Sequence, residues 1–292
     1  MSKIVFFGTG PVASASLESL INDFGIEFVI TKAAPKHHHE PAPVEVFARA
    51  HGIPIKYANS KDELDKVIGE TEIESQIGVV VDYGVIISQN VIGSFPLGIV
   101  NSHFSRLPEW RGADPISFAI LSGQKTTGVS LMIIRPELDT GKLIIQKPVS
   151  ISSNETIITL TEKLVNFSNQ LLREYLPRYI DGQIQPSEQS NPEQATYSRK
   201  LLKSDGLLDP STMTAKECER KIRAFLGFPK TRLDFLGAET IVTKAKVLDD
   251  FAGENWPDVI RCANNTALQI KEIVSPKSGK TMLVSDFLRG RR

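Results

Sequence analysis

Residues 3–31 read KIVFFGTGPVASASLESLINDFGIEFVIT. The apolar run Ile4–Phe7 predicts a strand, Gly8–Gly10 a tight turn, and the apolar residues that follow recur at the spacing of a helix. Glu27–Thr31 predicts a second strand. Two strands joined by a helix over this length are expected to pair in parallel. The segment therefore predicts the α/β class, with a doubly wound, mostly parallel sheet.

The turn at Gly8–Gly10 is also compatible with a dinucleotide-binding site, because glycines let the backbone approach a phosphate at a helix N-terminus. However, Ala13 stands at the third glycine position, and the second strand ends in Thr31 and Lys32, without a carboxylate for a ribose. This pattern favours a structural tight turn over a nicotinamide site.

Length and charge indicate two domains. The chain has 292 residues, of which 41% are hydrophobic and 23% charged, an ordinary globular composition. Residues 200–292 carry 17 basic and 12 acidic side chains, and the rest of the chain carries 17 and 22. A net charge of +5 on the last third is typical of a polyanion-binding domain, and a solvated basic face is the alternative.

Residues 181–196 are polar and rich in Gln, Pro, Ser and Asn, the composition of a linker. We therefore expect a domain at 1–190, a linker at 191–204 and a smaller domain at 205–292. Short predicted strands separated by turns, together with helices, favour an OB-like β-barrel for the second domain.

The two cysteines, Cys218 and Cys262, lack metal-ligand spacing and are expected to be packing residues in a reducing compartment. The consecutive histidines His37–His39 lie in a proline-bounded loop and are expected to point in alternating directions. An exposed polar loop is therefore the favoured interpretation, contact with a substrate is the second, and a metal site is the third.

No apolar run reaches membrane-spanning length. We expect a cytoplasmic monomer without a metal.

The segment 98–112 reads GIVNSHFSRLPEWRG and contains the one histidine outside residues 37–51. A strand is expected to end at Asn101, beside the strand end Asp82–Gly84, where ligands bind in parallel sheets. Asn101 is a neutral donor for an oxyanion, His103 a base near neutral pH, and Asp139 a carboxylate able to orient it. The alternative is a structural loop histidine, with Asp139 a turn residue before Gly141.

A serine hydrolase is a rival interpretation, because Ser102 and Ser105 flank His103. The sequence contains no G-x-S-x-G motif. Serines one and two positions from a histidine also cannot readily present their hydroxyls to its ring. Direct transfer without a covalent serine intermediate therefore fits better.

These motifs, taken together, resemble those of the folate-dependent formyltransferase family. The resemblance is carried by Asn101-x-His103, Ser105–Pro108, Arg111-Gly112, Pro115, Thr127–Val129 and Leu138–Gly141. The later segments Ala195–Leu201 and Ile222–Phe225, before Pro229, look like the second domain of members that act on tRNA.

The resemblance implies transfer of a formyl group from 10-formyltetrahydrofolate to the α-amino group of methionyl initiator tRNA. It assigns the oxyanion contact to Asn101, assistance of amine attack to His103, and the protonation network to Asp139. It also implies a folate site and, in the loop and second domain, contacts to tRNA. The folate residues are Ser105, Arg106, Leu107, Pro108, Tyr83 and Gly84; the tRNA residues are Lys36, His37, His38, Arg220 and Arg223.

Three positions depart from the family pattern. Arg106 stands where the family usually has leucine, and Gly10 stands where it has proline after the threonine. Lys36 and His37–His39 replace a longer loop rich in arginine and lysine.

Other functions remain open from the sequence. A sugar-nucleotide N-formyltransferase keeps the chemistry and changes the amine. A nucleic-acid-binding protein that has lost catalysis is an alternative from a different class, although Asn101, His103 and Asp139 argue against it. Glycinamide ribonucleotide formyltransferases and formyltetrahydrofolate deformylases are disfavoured by their different domain architecture.

Overall fold

The computed structural model of the chain describes residues 2–34, 40–248, 256–276 and 278–290. The chain forms two compact units. The first consists of Met1–Gly112, Thr127–Val149 and Glu162–Tyr197, and the second of Ala113–Thr126, Ser150–Thr161 and Ser198–Arg292. Each unit is thus built from segments that are distant in sequence. The assignment of separate functions to 1–190 and 205–292 stays a prediction.

The chain begins with β1 (Lys3–Phe7), α1 (Pro11–Leu20), β2 (Gly25–Thr31), α2 (Pro43–Ala50), β3 (Ile55–Tyr57), α3 (Lys61–Gly69), β4 (Gly78–Val80), α4 (Gln89–Gly93), β5 (Ile99–His103) and β6 (Arg111–Gly112). It continues through α5 (Pro115–Ser122), β7 (Thr126–Ile133), β8 (Leu143–Ser150), α6 (Ile157–Ile180) and β9 (Tyr197–Ser198).

The first unit contains a seven-stranded sheet in the order β3-β2-β1-β4-β5-β7-β8. Strands β3, β2, β1, β4 and β5 pair in parallel, and β7 pairs antiparallel with β5. The predicted doubly wound, mostly parallel sheet is confirmed. The strand order reverses direction between β1 and β4, and the carboxyl ends of parallel strands at such a point commonly bind ligands.

The central strands are buried on both faces, as parallel strands covered by helices must be. Val5, Phe7, Val79 and Ile99 have no solvent exposure, and Ile30 of β2 is equally buried. Each such side chain contributes about 1.5–3 kcal/mol of transfer free energy. The strands next to β5 are therefore anchored in the core of the sheet, and so is the start of β5 itself.

Two elements continue past a point where local sequence rules predict an end or a bend. Strand β5 extends beyond the predicted end at Asn101 to His103, because β7 supplies an antiparallel partner that pairs His103 with Ser130. Helix α6 continues through Pro177, although a proline inside a helix commonly breaks or bends it. The amide of Asp181 bonds to the Pro177 carbonyl at 2.9 Å, so helical hydrogen bonding persists beyond the proline.

Several short elements lie in segments without a helical or alternating hydrophobic pattern. Helix α4 has five residues, the late strand Thr281–Leu283 has three, and β6 and β9 have two each. Segments this short show no hydrophobic period, and tertiary partners decide their conformation.

The second unit contains α7 (Ala215–Ala224), β10 (Thr231–Asp234), β11 (Glu239–Leu248), β12 (Val259–Cys262), β13 (Thr266–Val274), β14 (Thr281–Leu283) and α8 (Val284–Arg289). The strands form an antiparallel sheet in the order β10-β11-β13-β12, with β14 also paired to β13. A capping box of Thr214 and Glu217 begins α7, which packs on β11 and β13. The predicted smaller β domain is confirmed, and its antiparallel sheet is a half-barrel.

Cys218 and Cys262 are free thiols buried in the core of the second unit. Contact with Cys262 and burial raise the pKa of the Cys218 thiol. Both side chains lie among apolar residues of that core, in agreement with a packing role. Within the described part of the chain, no helix has the length and apolar character needed to cross a membrane.

Candidate active site

Strand β5 places Asn101 and His103 on one face of the sheet, because side chains two positions apart in a strand point the same way. His103 is 6% exposed, and Asn101 is partly exposed. The neighbouring strands are β4 and β7, so the parallel strand end at Asp82–Gly84 lies next to this face, as expected. The two residues therefore stand on a rigid central strand.

The imidazole of His103 contacts a carbonyl on one side and a carboxylate on the other. Its Nε2 lies 3.0 Å from the carbonyl oxygen of Trp110, and its Nδ1 lies 3.7 Å from Oδ2 of Asp139. A carbonyl oxygen can only accept, so Nε2 carries the proton in the neutral ring. Nδ1 is then the ring nitrogen that can accept a proton, and it faces the carboxylate of Asp139.

The backbone of Trp110 is held in an uncommon conformation that serves this contact. Trp110 has φ 55°, in the left-handed region that a bulky residue seldom adopts. Its amide donates to Thr196 Oγ1 at 2.9 Å, and the amide of Arg111 donates to the carbonyl of Thr196 at 2.9 Å. Thr196 thus fixes the peptide whose carbonyl sets the His103 tautomer.

Asp139 lies in the turn between β7 and β8, also with a left-handed φ of 51°. Its Oδ2 accepts from the amide of Gly112 at 2.7 Å. This backbone bond fixes the orientation of the carboxylate. The structure therefore places Asp139 beside His103, and Asn101 lies on the same face of β5 as His103. The catalytic roles of all three stay predictions.

Gly141, two positions after Asp139, leaves no room for a side chain. A Cβ there would lie 1.6 Å from the carbonyl oxygen of Ile133. We expect Gly141→Ala to displace this turn, to lower the melting temperature by about 5 °C or more, and to reduce turnover. Differential scanning calorimetry measures the first effect.

Gly69→Ala is the matched control, because a Cβ at Gly69 has nothing within 4 Å. It should leave the melting temperature unchanged or slightly higher, since alanine favours the helix. Equal melting temperatures for the Gly141 and Gly69 variants would contradict the steric assignment.

The hydroxyls of Ser102 and Ser105, the serines that flank His103, form hydrogen bonds within the fold. The hydroxyl of Ser102 points to the opposite face and bonds to Ser168 at 2.5 Å. Ser105 is fully buried and donates to the carbonyl of Glu109 at 2.5 Å. Neither hydroxyl faces the ring of His103, which agrees with the preference for direct transfer over a serine hydrolase.

The predicted folate loop, Ser105–Pro108, follows β5 directly and is pinned by polar bonds. Ser130 of β7 donates to the carbonyl of Ser105 at 2.7 Å and accepts from the amide of Leu107 at 3.3 Å. Gln146 donates to the carbonyl of Leu107 at 2.8 Å. The loop is therefore preorganised, with Pro108 partly exposed.

Arg106, the residue that departs from the family pattern, lies against the backbone of β7. A Cβ on Gly128 would lie 2.6 Å from Cγ of Arg106. The aliphatic stem of the arginine therefore occupies the surface of Gly128, and its packing replaces that of an apolar side chain.

The two other predicted folate residues, Tyr83 and Gly84, follow β4 and differ in their exposure to solvent. Tyr83 is 3% exposed and its hydroxyl donates to the carbonyl of Ala58 at 2.9 Å, and burial raises the pKa of its phenol. Gly84 is exposed with φ +69°. The Tyr83 side chain therefore belongs to the core, and Gly84 offers backbone groups alone.

The carboxylate of Asp82 lies against the Gly8–Gly10 turn that follows β1. A Cβ on Gly10 would lie 2.8 Å from Oδ2 of Asp82, at the N-terminus of α1. A carboxylate oxygen beside the N-terminus of a helix disfavours the binding of a phosphate there. The geometry supports the interpretation of Gly8–Gly10 as a structural turn.

Both predicted RNA-contacting arginines of the second unit have structural partners. Arg223 is paired with Glu219 and donates to the carbonyl of Glu155 at 2.6 Å. Arg220 packs on Gly123, whose Cβ would lie 2.5 Å from its Nη1. Lys36, His37 and His38 lie outside the described residues. Contacts of all five with RNA stay predictions.

Thr196 and Gln189 are polar contacts to this site that the sequence did not indicate. Both come from the polar segment interpreted as a linker, and a composition of Gln, Pro and Ser gives no sign of burial. The isolated bridge between Ser187 and Leu143 is the tertiary contact that brings the segment to β8. Among residues 2–34, 40–248, 256–276 and 278–290, no group of three or more His, Cys, Asp or Glu could hold a metal ion.

Comparison with known proteins covers both parts of the chain. Residues 2–176 match the formyl transferase family, and residues 200–292 match the C-terminal domain of formyl transferases. The methionyl-tRNA formyltransferase of Halorhodospira halophila is 31% identical over 307 residues, covering 100% of this chain and 97% of that protein. The methionyl-tRNA formyltransferase of Nitratidesulfovibrio vulgaris strain DP4 is 36% identical over 234 residues, covering 78% and 70%.

Solved structures show the same fold. The N-formyltransferase from Helicobacter canadensis, in complex with folinic acid and dTDP-3-aminofucose, has a TM-score of 0.72 at 20% identity and covers 92% of this chain and 99% of its own. Phosphoribosylglycinamide formyltransferase from Bacillus halodurans has a TM-score of 0.53 at 27% identity and covers 61% and 95%.

Proposed function

The chain belongs to the formyl transferase family, and from this premise we propose that it transfers a formyl group from 10-formyltetrahydrofolate to the α-amino group of methionyl initiator tRNA. The observation that carries the proposal is the Asn101–His103–Asp139 arrangement, in a chain whose full length aligns with methionyl-tRNA formyltransferases. We further propose that the enzyme works in the cytoplasm as a monomer.

The chemistry follows from the positions of the three side chains. The neutral amine attacks the formyl carbon, and the carbonyl oxygen becomes an oxyanion for which the Asn101 amide is a donor. His103 takes the amine proton at Nδ1, and Asp139 stabilises the imidazolium across 3.7 Å. Collapse of the tetrahedral intermediate breaks the bond to N10, which receives the proton. Formylated amine and tetrahydrofolate result.

The folate substrate is supported by the loop Ser105–Pro108, which begins two residues after His103 and is fixed by Ser130 and Gln146. A preorganised loop beside the base limits the motion of the reacting groups. The exposed backbone of Gly84, at the neighbouring strand end, is a second candidate contact.

The tRNA substrate is supported by the charge of the last third of the chain, 17 basic against 12 acidic residues. Since Arg220 and Arg223 have structural partners, the exposed side chains Lys203, Lys216 and Lys230 are further candidates for phosphate contacts. Lysine binds phosphate as a point charge without requiring one geometry.

Binding of the acceptor should depend steeply on salt. If about four phosphates are neutralised, raising the salt from about 50 to 200 mM should weaken tRNA binding roughly 100-fold. A nucleotide sugar, with two phosphates, should lose less than about tenfold. Filter binding of charged initiator tRNA at increasing KCl gives the slope, and a slope near zero would contradict a phosphate-based interface.

The direct test is an assay with labelled formyl donor. Charged initiator tRNA and a panel of amino-sugar nucleotides are offered separately, and the product is identified by mass. We expect formyl-methionyl-tRNA and no formylated sugar. If only a sugar is formylated, the proposed acceptor is wrong. If neither the tRNA nor a sugar is formylated, the proposed function is wrong.

A further inference from the structure

Gln189 is a buried side-chain amide that bonds to two backbone segments of the candidate active site. It is 6% exposed. Its Nε2 donates to the carbonyl of Asp139 at 2.8 Å and to that of Gly141 at 3.0 Å, and its Oε1 accepts from Nη2 of Arg111 at 2.7 Å. Both amide hydrogens and the amide oxygen are thus engaged.

These bonds hold the two segments that locate the Asp139 carboxylate. One segment is the Asp139–Gly141 turn, whose carbonyls Gln189 binds. The other is Arg111–Gly112, and the Gly112 amide is the donor to Oδ2 of Asp139. The same Oδ2 faces Nδ1 of His103. Gln189 therefore ties the turn that carries the carboxylate to the segment that orients it.

We propose that Gln189 is a positioning residue for formyl transfer, which holds the Asp139 carboxylate against Nδ1 of His103. The proposal rests on the proposed function and adds a residue to its mechanism. Gln189 acts through Asp139 and has no role in contacting the substrates. A displacement of a catalytic group by about 1 Å can cost roughly 100-fold in rate, so a fixed turn matters for kcat.

Gln189→Glu is the sharpest test, because it keeps the size of the side chain and the acceptor for Arg111. It replaces the two donated hydrogens by an oxygen that faces two carbonyl oxygens, which leaves the turn without its donors. The positive charge of Arg111 compensates the new carboxylate, so the fold should be retained. We expect kcat for initiator tRNA to fall about 10- to 100-fold, with each KM within about twofold.

The matched control is Gln185→Glu, the same change at an exposed position of the same segment. It should turn over like the wild type. Gln189→Met, which introduces no charge, undergoes the same measurements if Gln189→Glu does not yield folded protein. Circular dichroism and thermal unfolding establish the folded fraction of each variant.

A double-mutant cycle with Asp139→Ala separates positioning from a merely structural role. If Gln189 acts through Asp139, Gln189→Glu should reduce kcat by less than about twofold in the Asp139→Ala background. A structural role would give the same loss in both backgrounds and would overturn the proposal.

The control also separates the two levels of the inference. If wild type and Gln185→Glu formylate the tRNA and folded Gln189→Glu equals them, the positioning role is wrong and the proposed function stands. If wild type and Gln185→Glu both fail to formylate it, the proposed function is wrong and the positioning role fails with it.

Discussion

His103→Ala is expected to reduce kcat for formyl transfer about 100- to 10,000-fold, the range for loss of a general base. The Nδ1 of the His103 imidazole faces Asp139 and is the proton acceptor in the proposed mechanism, while its Nε2 is occupied by the Trp110 carbonyl. Without it, the proton of the attacking amine has to leave to water. Steady-state kinetics with charged initiator tRNA measures the loss.

His51→Ala is the matched control for this variant. His51 is an exposed imidazole at the end of α2, with its Nδ1 on the carbonyl of Phe47 at 2.9 Å. It should keep wild-type turnover, and both variants should remain folded by circular dichroism. A folded His103→Ala enzyme with a rate within threefold of wild type would show that His103 is not the general base.

Asn101→Asp is expected to have a comparable effect, about 100- to 1,000-fold or more on kcat. The change keeps the shape of the side chain, removes the amide donor, and puts a carboxylate where the oxyanion forms. Since the loss arises in the transition state, KM for the formyl donor should change less than kcat. Single-turnover kinetics separates binding from chemistry.

Asn90→Asp makes the same change on α4, at an exposed position. Its rate should equal that of the wild type. Undiminished transfer by a folded Asn101→Asp enzyme would show that another group stabilises the oxyanion, and the amides of the loop Ser105–Pro108 would be the next candidates.

Both predictions concern a strand whose environment the sequence anticipates only in part. The apolar run before Asn101 and the alternation of Asn101, Ser102 and His103 suffice to place two functional side chains on one face. The continuation of β5 to His103 does not follow from that run, because it needs the antiparallel partner β7. The sequence alone consequently ends the strand too early.

The segment 181–196 shows a different limit. Its composition is that of a linker, and composition predicts only the average exposure of a segment to solvent. Gln189 is nevertheless buried, since its amide groups find hydrogen-bond partners in the fold. A buried amide with all its hydrogen bonds satisfied cannot be told from an exposed one by residue type.

Local patterns in the sequence suffice to predict the α/β class, the order of the main elements, the two cysteines as packing residues, and the candidate residues Asn101, His103 and Asp139. Periodicity, turns and short motifs are local properties, so they can be read along the chain. The tertiary structure decided which nitrogen of His103 carries the proton, where the Asp139 carboxylate lies, and that Thr196 and Gln189 hold both. Those contacts join residues 86 and 50 positions apart, and only the folded chain brings them within hydrogen-bond distance.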